Sequence, residues 1–140
     1  MATTAQWVFE TAVHLMDEAD SATGAADTGA AAVYKSRTPA ILSVLMARCA
    51  PLSAKLEPGQ VPDPVTHMEQ ELGLEDSLCR TLLPYGLAAH LTVEENPAVS
   101  AYFHNQFEAA MQTARRASPT VCESIVLPYG GVEHGDWARW

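Results

Sequence analysis

LLPYGLAAHLTVEENPAVSAYFHNQFEAA, residues 82–110, decides the fold of this 140-residue chain. It reads as two helices folded back on each other across Asn96-Pro97. Asn96 is a favourable N-cap, and Pro97 suits the first helical position, where its missing N–H costs nothing. The same pair stops the helix before it, because a residue ahead of proline is pushed out of the α region. That preceding helix starts near Glu75 or Asp76, whose charges favour a helix N-terminus, with Leu74 and Leu78 placed as a hydrophobic staple. Leu78, Leu82, Tyr85 and Ala89 line one of its faces. Pro84 falls inside it, lacks a donor and frees the Arg80 carbonyl, which predicts a bend; Gly86 adds a point of close approach. The helix after the turn, from 97 to about 117, carries Val99, Phe103, Phe107, Ala110 and Ala114 towards a core. Arg115 and Arg116 complement its dipole, and Ser118-Pro119 ends it.

Towards the N-terminus, a first helix is expected from about 4 to 18, with Val8, Ala12, Leu15 and Ala19 in one stripe and Phe9, Val13 and Met16 beside it. Trp7 closes the edge of that face. DSATGAADTG, residues 20–29, is turn-rich. A second helical region runs from about 30 to 50, and Thr38-Pro39 leaves two readings open. Pro39 kinks one helix, or Thr38 caps a new one with Pro39 at its first position. Ile41, Leu45, Cys49 and Leu52 share a face there, joined by Leu42 and Val44. Pro51, Pro58, Pro62 and Pro64 around Gly59 make residues 51–64 an irregular connector, with a short strand near 61–68 as an option.

Leu, Ala, Met and Glu outnumber β-branched and aromatic residues, which favours helix over sheet. The expected fold class is all-α, a compact bundle of four to five helices over 1–118, continued by a non-helical C-terminal arm over 119–140. Forty-eight per cent of the residues are apolar, enough for a core, yet no run approaches the ~18 apolar residues of a membrane span. MATTAQWVFE has neither a basic n-region nor a continuous apolar h-region, so no signal peptide is expected and the protein reads as cytoplasmic. Seventeen acidic against eight basic residues give a net charge of −9. That balance opposes a general attraction to nucleic-acid phosphates, although a repelling wall lets a duplex slide past without sticking.

Cys49, Cys79 and Cys122 fit neither a disulfide framework nor a zinc module and read as small, reduced, core-facing residues. No Gly-x-Ser-x-Gly elbow, Cys–His pattern or phosphate-cradling loop is present, and no catalytic residue and no cofactor are expected. His90 and Glu94 are four apart, as are His104 and Glu108, on either side of Asn96-Pro97. A hairpin would bring these two pairs together, which makes a small helical metal-binding protein or enzyme the alternative reading. The last residues, TVCESIVLPYGGVEHGDWARW, have no helical period, and Gly130-Gly131 offers a hinge. This arm packs back on its own bundle or docks on a neighbour, where Tyr129, Trp137 and Trp140 would be the anchors.

Three stretches carry a resemblance. One is Tyr34, Arg37, Pro39, Ile41 and Leu42; the second is ELGLEDSLCRTLLPYGLAAHLTVEENPAVSAYFHNQFE, residues 71–108; the third is the ending YGGVEHGDWARW. In these the chain resembles head–tail connector or adaptor (neck) proteins of tailed bacteriophages and prophages. The resemblance implies a mostly helical protein with arms that reach its neighbours, assembling as a homo-oligomeric ring of roughly a dozen copies below the portal. It implies portal or tail proteins as partners, DNA at most passing through a channel, no membrane, and no active-site residues. The implied location is the bacterial host cytoplasm, and the virion of an active phage.

Overall fold

A computed structural model describes residues 2–16 and 29–117. They form α1 (Ala5–Leu15), α2 (Gly29–Cys49), a 3-10 turn (Ala50–Leu52), α3 (Asp76–Thr81), α4 (Leu83–Thr92) and α5 (Pro97–Ala117). The fold is all-α, and the only β pairing among the described residues is one antiparallel bridge between Thr4 and Glu71. No helix among these residues is long and apolar enough to cross a membrane.

The hairpin forms where the sequence places it. Asn96 Oδ1 accepts the Val99 N–H at 3.3 Å and the Asn96 carbonyl accepts the Ser100 N–H at 3.0 Å, so one residue caps α5 twice. The Ser100 hydroxyl reaches across to the Ala89 carbonyl at 2.7 Å and pins the two helices together near the turn. Ser100, Phe103, Phe107 and Met111 are the buried residues of α5, at the i, i+3, i+4 spacing of a single stripe.

The helix ahead of the turn is broken rather than bent. α3 stops at Thr81, Leu82 turns the chain at φ −104° and ψ −51°, and Pro84 stands in the first turn of α4. There the missing N–H of Pro84 is an orphan donor that no longer needs a partner. Glu75 is the N-cap of α3, so Leu78 is the third helical residue and Cys79 the fourth; Leu74, Leu78 and Cys79 are all buried together at this start.

α4 is buried on nearly all sides: of its ten residues only Tyr85 and His90 escape full burial. It packs against α1, α2, α3 and α5, with its widest contact on α5. Such a helix needs small or apolar residues all round: Leu83, Leu87, Ala88 and Leu91 fill one side at 0–1% exposure, and Gly86 and Ala89 are buried on the other. Gly86 lets the neighbours close in. A Cβ there would stand 3.1 Å from both Leu45 methyls and from the Phe107 ring, so α2 and α5 meet α4 at the position that lacks a side chain.

α2 is one unbroken helix through Pro39. Thr38 does not cap a new helix; its buried hydroxyl donates back to the Tyr34 carbonyl at 2.8 Å. The core face of α2 is Leu42, Leu45, Met46 and Cys49, with Ile41 half-buried beside it. Val44, expected on that face, is 66% exposed, since its position faces away from the stripe centred on Leu42 and Met46. Leu15 likewise lies at the edge of α1 at 37% exposure, while Met16 packs against the core. The rest of the expected first helix, with Ala19 of its stripe, lies outside the described residues, as does the turn-rich stretch up to 28.

The irregular connector, 53–75, is longer than the prolines alone suggest and forms no strand near 61–68. It is a structural wrap. Val65, Met68, Leu72 and Leu74 point into the core, and the Ser43 hydroxyl holds the Val65 N–H at 2.9 Å. Its carbonyls complete the start of α1: Gln70 accepts from Ala5 at 3.1 Å and Met68 from Gln6 at 2.8 Å, while Thr4 Oγ1 accepts from Trp7 at 3.3 Å. Three donors that a helix N-terminus leaves unpaired are satisfied there. Just upstream, Asp76 Oδ1 accepts both the N–H and the hydroxyl of Thr3, each at 2.8 Å. Arg80 donates to Thr3 Oγ1 and stacks over Trp7 with its guanidinium 5.5 Å from the ring centroid.

Two consequences are measurable. Gly86→Ala trades a gain in helix propensity of about 1 kcal/mol against a shift of a few tenths of an ångström, and should stay within about 1 kcal/mol of the parent in urea unfolding. Gly86→Leu should lose about 1–3 kcal/mol or more by overpacking; equal stability of the two variants would contradict the close approach. The hydrogen bonds from Thr3 lower the pKa of Asp76 below its ordinary 3.8. The stability this group contributes is therefore present above pH 3.8 and is lost as pH falls through the lower folded-state value. Asp76→Ala should lower the melting temperature at pH 7, and the gap from the parent should close in acid.

Candidate functional site

The four residues of the alternative metal reading fall on and beside the α4–α5 hairpin. His90 is the exposed residue near the end of α4, and Glu94 is exposed in the turn after it. On α5, His104 Nε2 lies 3.9 Å from Glu108 Oε1. Glu108 is taken by the Arg48 guanidinium, which reaches over from α2 as a hydrogen-bonded ion pair and rests 5.4 Å from the Phe107 ring centroid. His90 lies near enough to feel His104, Arg48 and Arg37. Its pKa is lowered, first by loss of water around the ring and then by the positive charge of those three groups.

The hairpin thus brings His90, His104 and Glu108 to one face, and α2 brings Arg48 and Arg37 there as well. A cation held by Glu108 would have to displace a guanidinium and sit beside a second positive charge. Among the described residues, no three His, Cys, Asp or Glu side chains gather closely enough to hold a metal ion. The spacing of the pairs is visible in the sequence; the partner that α2 contributes is not.

Cys49 and Cys79 are fully buried and free. Burial pushes each thiol up to about 11, with Arg48 pulling Cys49 slightly the other way and Asp76 reinforcing the rise at Cys79. Raised thiols of this kind stay protonated near neutral pH. Tyr34, almost fully buried in α2, donates its hydroxyl to Glu95 in the α4–α5 turn, so this tyrosine of the resemblance ties two elements of the fold.

A groove not expected from the sequence lies beside the last turns of α5. Together with the 3-10 turn and α3 they frame about 700 Å³, lined by Leu52, Leu78, Ala110, Ala114 and Ala117 among others. Its signal in the sequence is the change along α5 from Phe103, Phe107 and Met111 to alanines at 110, 114 and 117, where small side chains leave room. The anchors expected in the arm, Tyr129, Trp137 and Trp140, and the whole of 119–140, lie outside the described residues. No family model matches the chain, and no curated protein or solved structure matches it either.

The burial of the thiols gives a direct check. A Cys122→Ser variant should show no thiol that reacts with a chromogenic disulfide reagent at pH 8 while folded, and two once unfolded. Raised pKa values also mean that the cysteines favour the folded state below pH 9.0 and lose that contribution as pH rises towards about 11. Rapid reaction of either thiol in the folded variant would contradict the packing of α2 and α3.

Proposed function

We propose that this chain is a structural assembly protein at the head–tail junction of a tailed phage or prophage, forming a ring or adaptor below the portal. It works through subunit contacts and not through chemistry. The observation that carries this reading is the resemblance over 71–108, which falls on the residues the fold is built around. That stretch supplies α3, the central helix α4, the capped turn and the first half of α5.

The outer surface supports it. Val33, Ala40, Val44 and Ala47 are exposed along the outward side of α2, and Val93 and Tyr102 are exposed near the hairpin turn. In a ring, such residues have neighbours to cover them. The acidic balance, −9 overall, suits a channel wall that DNA passes without binding. Its partners are further copies of itself and the portal or tail proteins, and its location is the host cytoplasm during assembly and the virion afterwards. The C-terminal arm, through Tyr129, Trp137 and Trp140, reaches the adjacent subunit.

Native mass spectrometry of the untagged chain, alone and co-expressed with the portal protein of its own phage, tests this. A closed assembly of roughly a dozen metal-free subunits is expected, free or templated on the portal. Deleting residues 132–140 should leave the unfolding transition in place and abolish that assembly. A chain that remains monomeric even beside the portal would contradict the proposal, and a truncated chain that assembles normally would remove the arm from it.

A further inference from the structure

We infer that the groove at the end of α5 is the docking site of the chain's own residues 121–127, held in cis. This does not depend on the assembly reading. The groove is bounded by the 3-10 turn, the start of α3 and the C-terminal turns of α5, and its walls are largely apolar. Ala117, one of its lining residues, is also the last described residue of α5, so the segment that follows is tethered at the groove itself.

The sequence beyond Ala117 is suited to it. Ser118-Pro119 disfavours continuation of the helix, and in the inferred arrangement the chain turns back there. Val121, Cys122, Ile125, Val126 and Leu127 come next, the most apolar run after α5. Length is sufficient. From Ala117 back to Ala110 the groove lies along α5 for about 10 Å at 1.5 Å per residue. An extended chain covers that in three to four residues, at roughly 3.3 Å each. Residues 121–124 therefore run level with Ala114 and Ala110, leaving Ile125 to Leu127 to reach the wall made by Leu52 and Leu78. The rim carboxylate is already engaged, since Glu75 Oε1 accepts the Ala54 N–H at 2.8 Å, so the groove asks chiefly for apolar side chains. A segment tethered at the rim is present at a high effective concentration and outcompetes an unlinked copy of the same sequence. Docked there, 121–127 would fix the direction in which Tyr129 and the tryptophans leave the bundle.

Cys122 makes the test direct, because Cys49 and Cys79 are buried and do not compete for oxidation. In an Ala114→Cys variant, treated with diamide at low protein concentration, the thiol introduced at position 114 should join Cys122 within one molecule. The product is a monomer lighter by two hydrogens, with the linked peptide identified after digestion. An Ala98→Cys variant, altered at the far end of α5, should form no such bond. Disulfide-linked dimers of the Ala114→Cys variant would overturn the cis assignment by placing a second copy's segment in the groove. No bond at all, with both thiols still reactive, would overturn it outright. As an independent readout, a chain ending at residue 119 should bind an apolar-surface dye several-fold more strongly than the full chain; unchanged binding would also count against the inference.

Discussion

Gly86 brings the middle of α4 into contact with the Leu45 methyls of α2 and the Phe107 ring of α5, and the rest of the bundle is arranged around that approach. A central helix has to be apolar on every side and thin somewhere. LPYGLAAHLT meets both conditions, with leucines at 83, 87 and 91 stacked along one face and the small Gly86, Ala88 and Ala89 buried on the others. Each fully buried leucine contributes on the order of 1.5–3 kcal/mol of transfer free energy. This helix therefore holds together neighbours that make less contact with one another. α1 leans on α4 at one side and is completed at its N-terminus by the wrap from 65 to 72. α3 leads into it through Leu82, and α5 returns along it from the Asn96 cap.

The local rules of the chain are strong where they act over a few residues. Asn96-Pro97 states a cap and a start, Phe103, Phe107 and Ala110 state a stripe, and Gly86 inside an otherwise apolar helix states a close approach. They are weaker where two of them compete. Pro39 and Pro84 are both prolines within helical pattern, yet α2 runs on through one and α3 gives way to α4 two residues before the other. The buried Thr38 hydroxyl bonded back to Tyr34, the burial of Leu42 and the packing of Leu45 on Gly86 of α4 accompany a continuous α2. At Pro84 the break costs little, because the ring enters the first turn of a new helix. Val44 escapes a sequence-based placement because a cluster of aliphatic residues at 41, 42, 44 and 45 fits more than one face until a partner helix selects it.

Long-range pairing is not legible at all. Nothing in the spacing of Thr3, Asp76 and Arg80 announces a clasp across more than seventy residues, and nothing near Met68 and Gln70 announces that their carbonyls finish α1. The same holds for the polar face of the hairpin. His90, His104 and Glu108 are readable as a spacing, but Arg48 arrives from α2 and makes of Glu108 an ion pair with positive charge around it. The described surface offers two further faces, a helix flank with exposed valines at 33 and 44 and a groove at the end of α5.

Native-state hydrogen exchange tests the central role of α4 most directly. Amides from Gly86 to Leu91 should be the slowest in the protein and exchange only through global unfolding, with α5 from Phe103 to Met111 close behind. The N-terminal turn of α2 and the connector near Gly59 should exchange orders of magnitude faster. If the α4 amides instead open by local fluctuations while α1 or α2 stays protected, the bundle does not rest on α4.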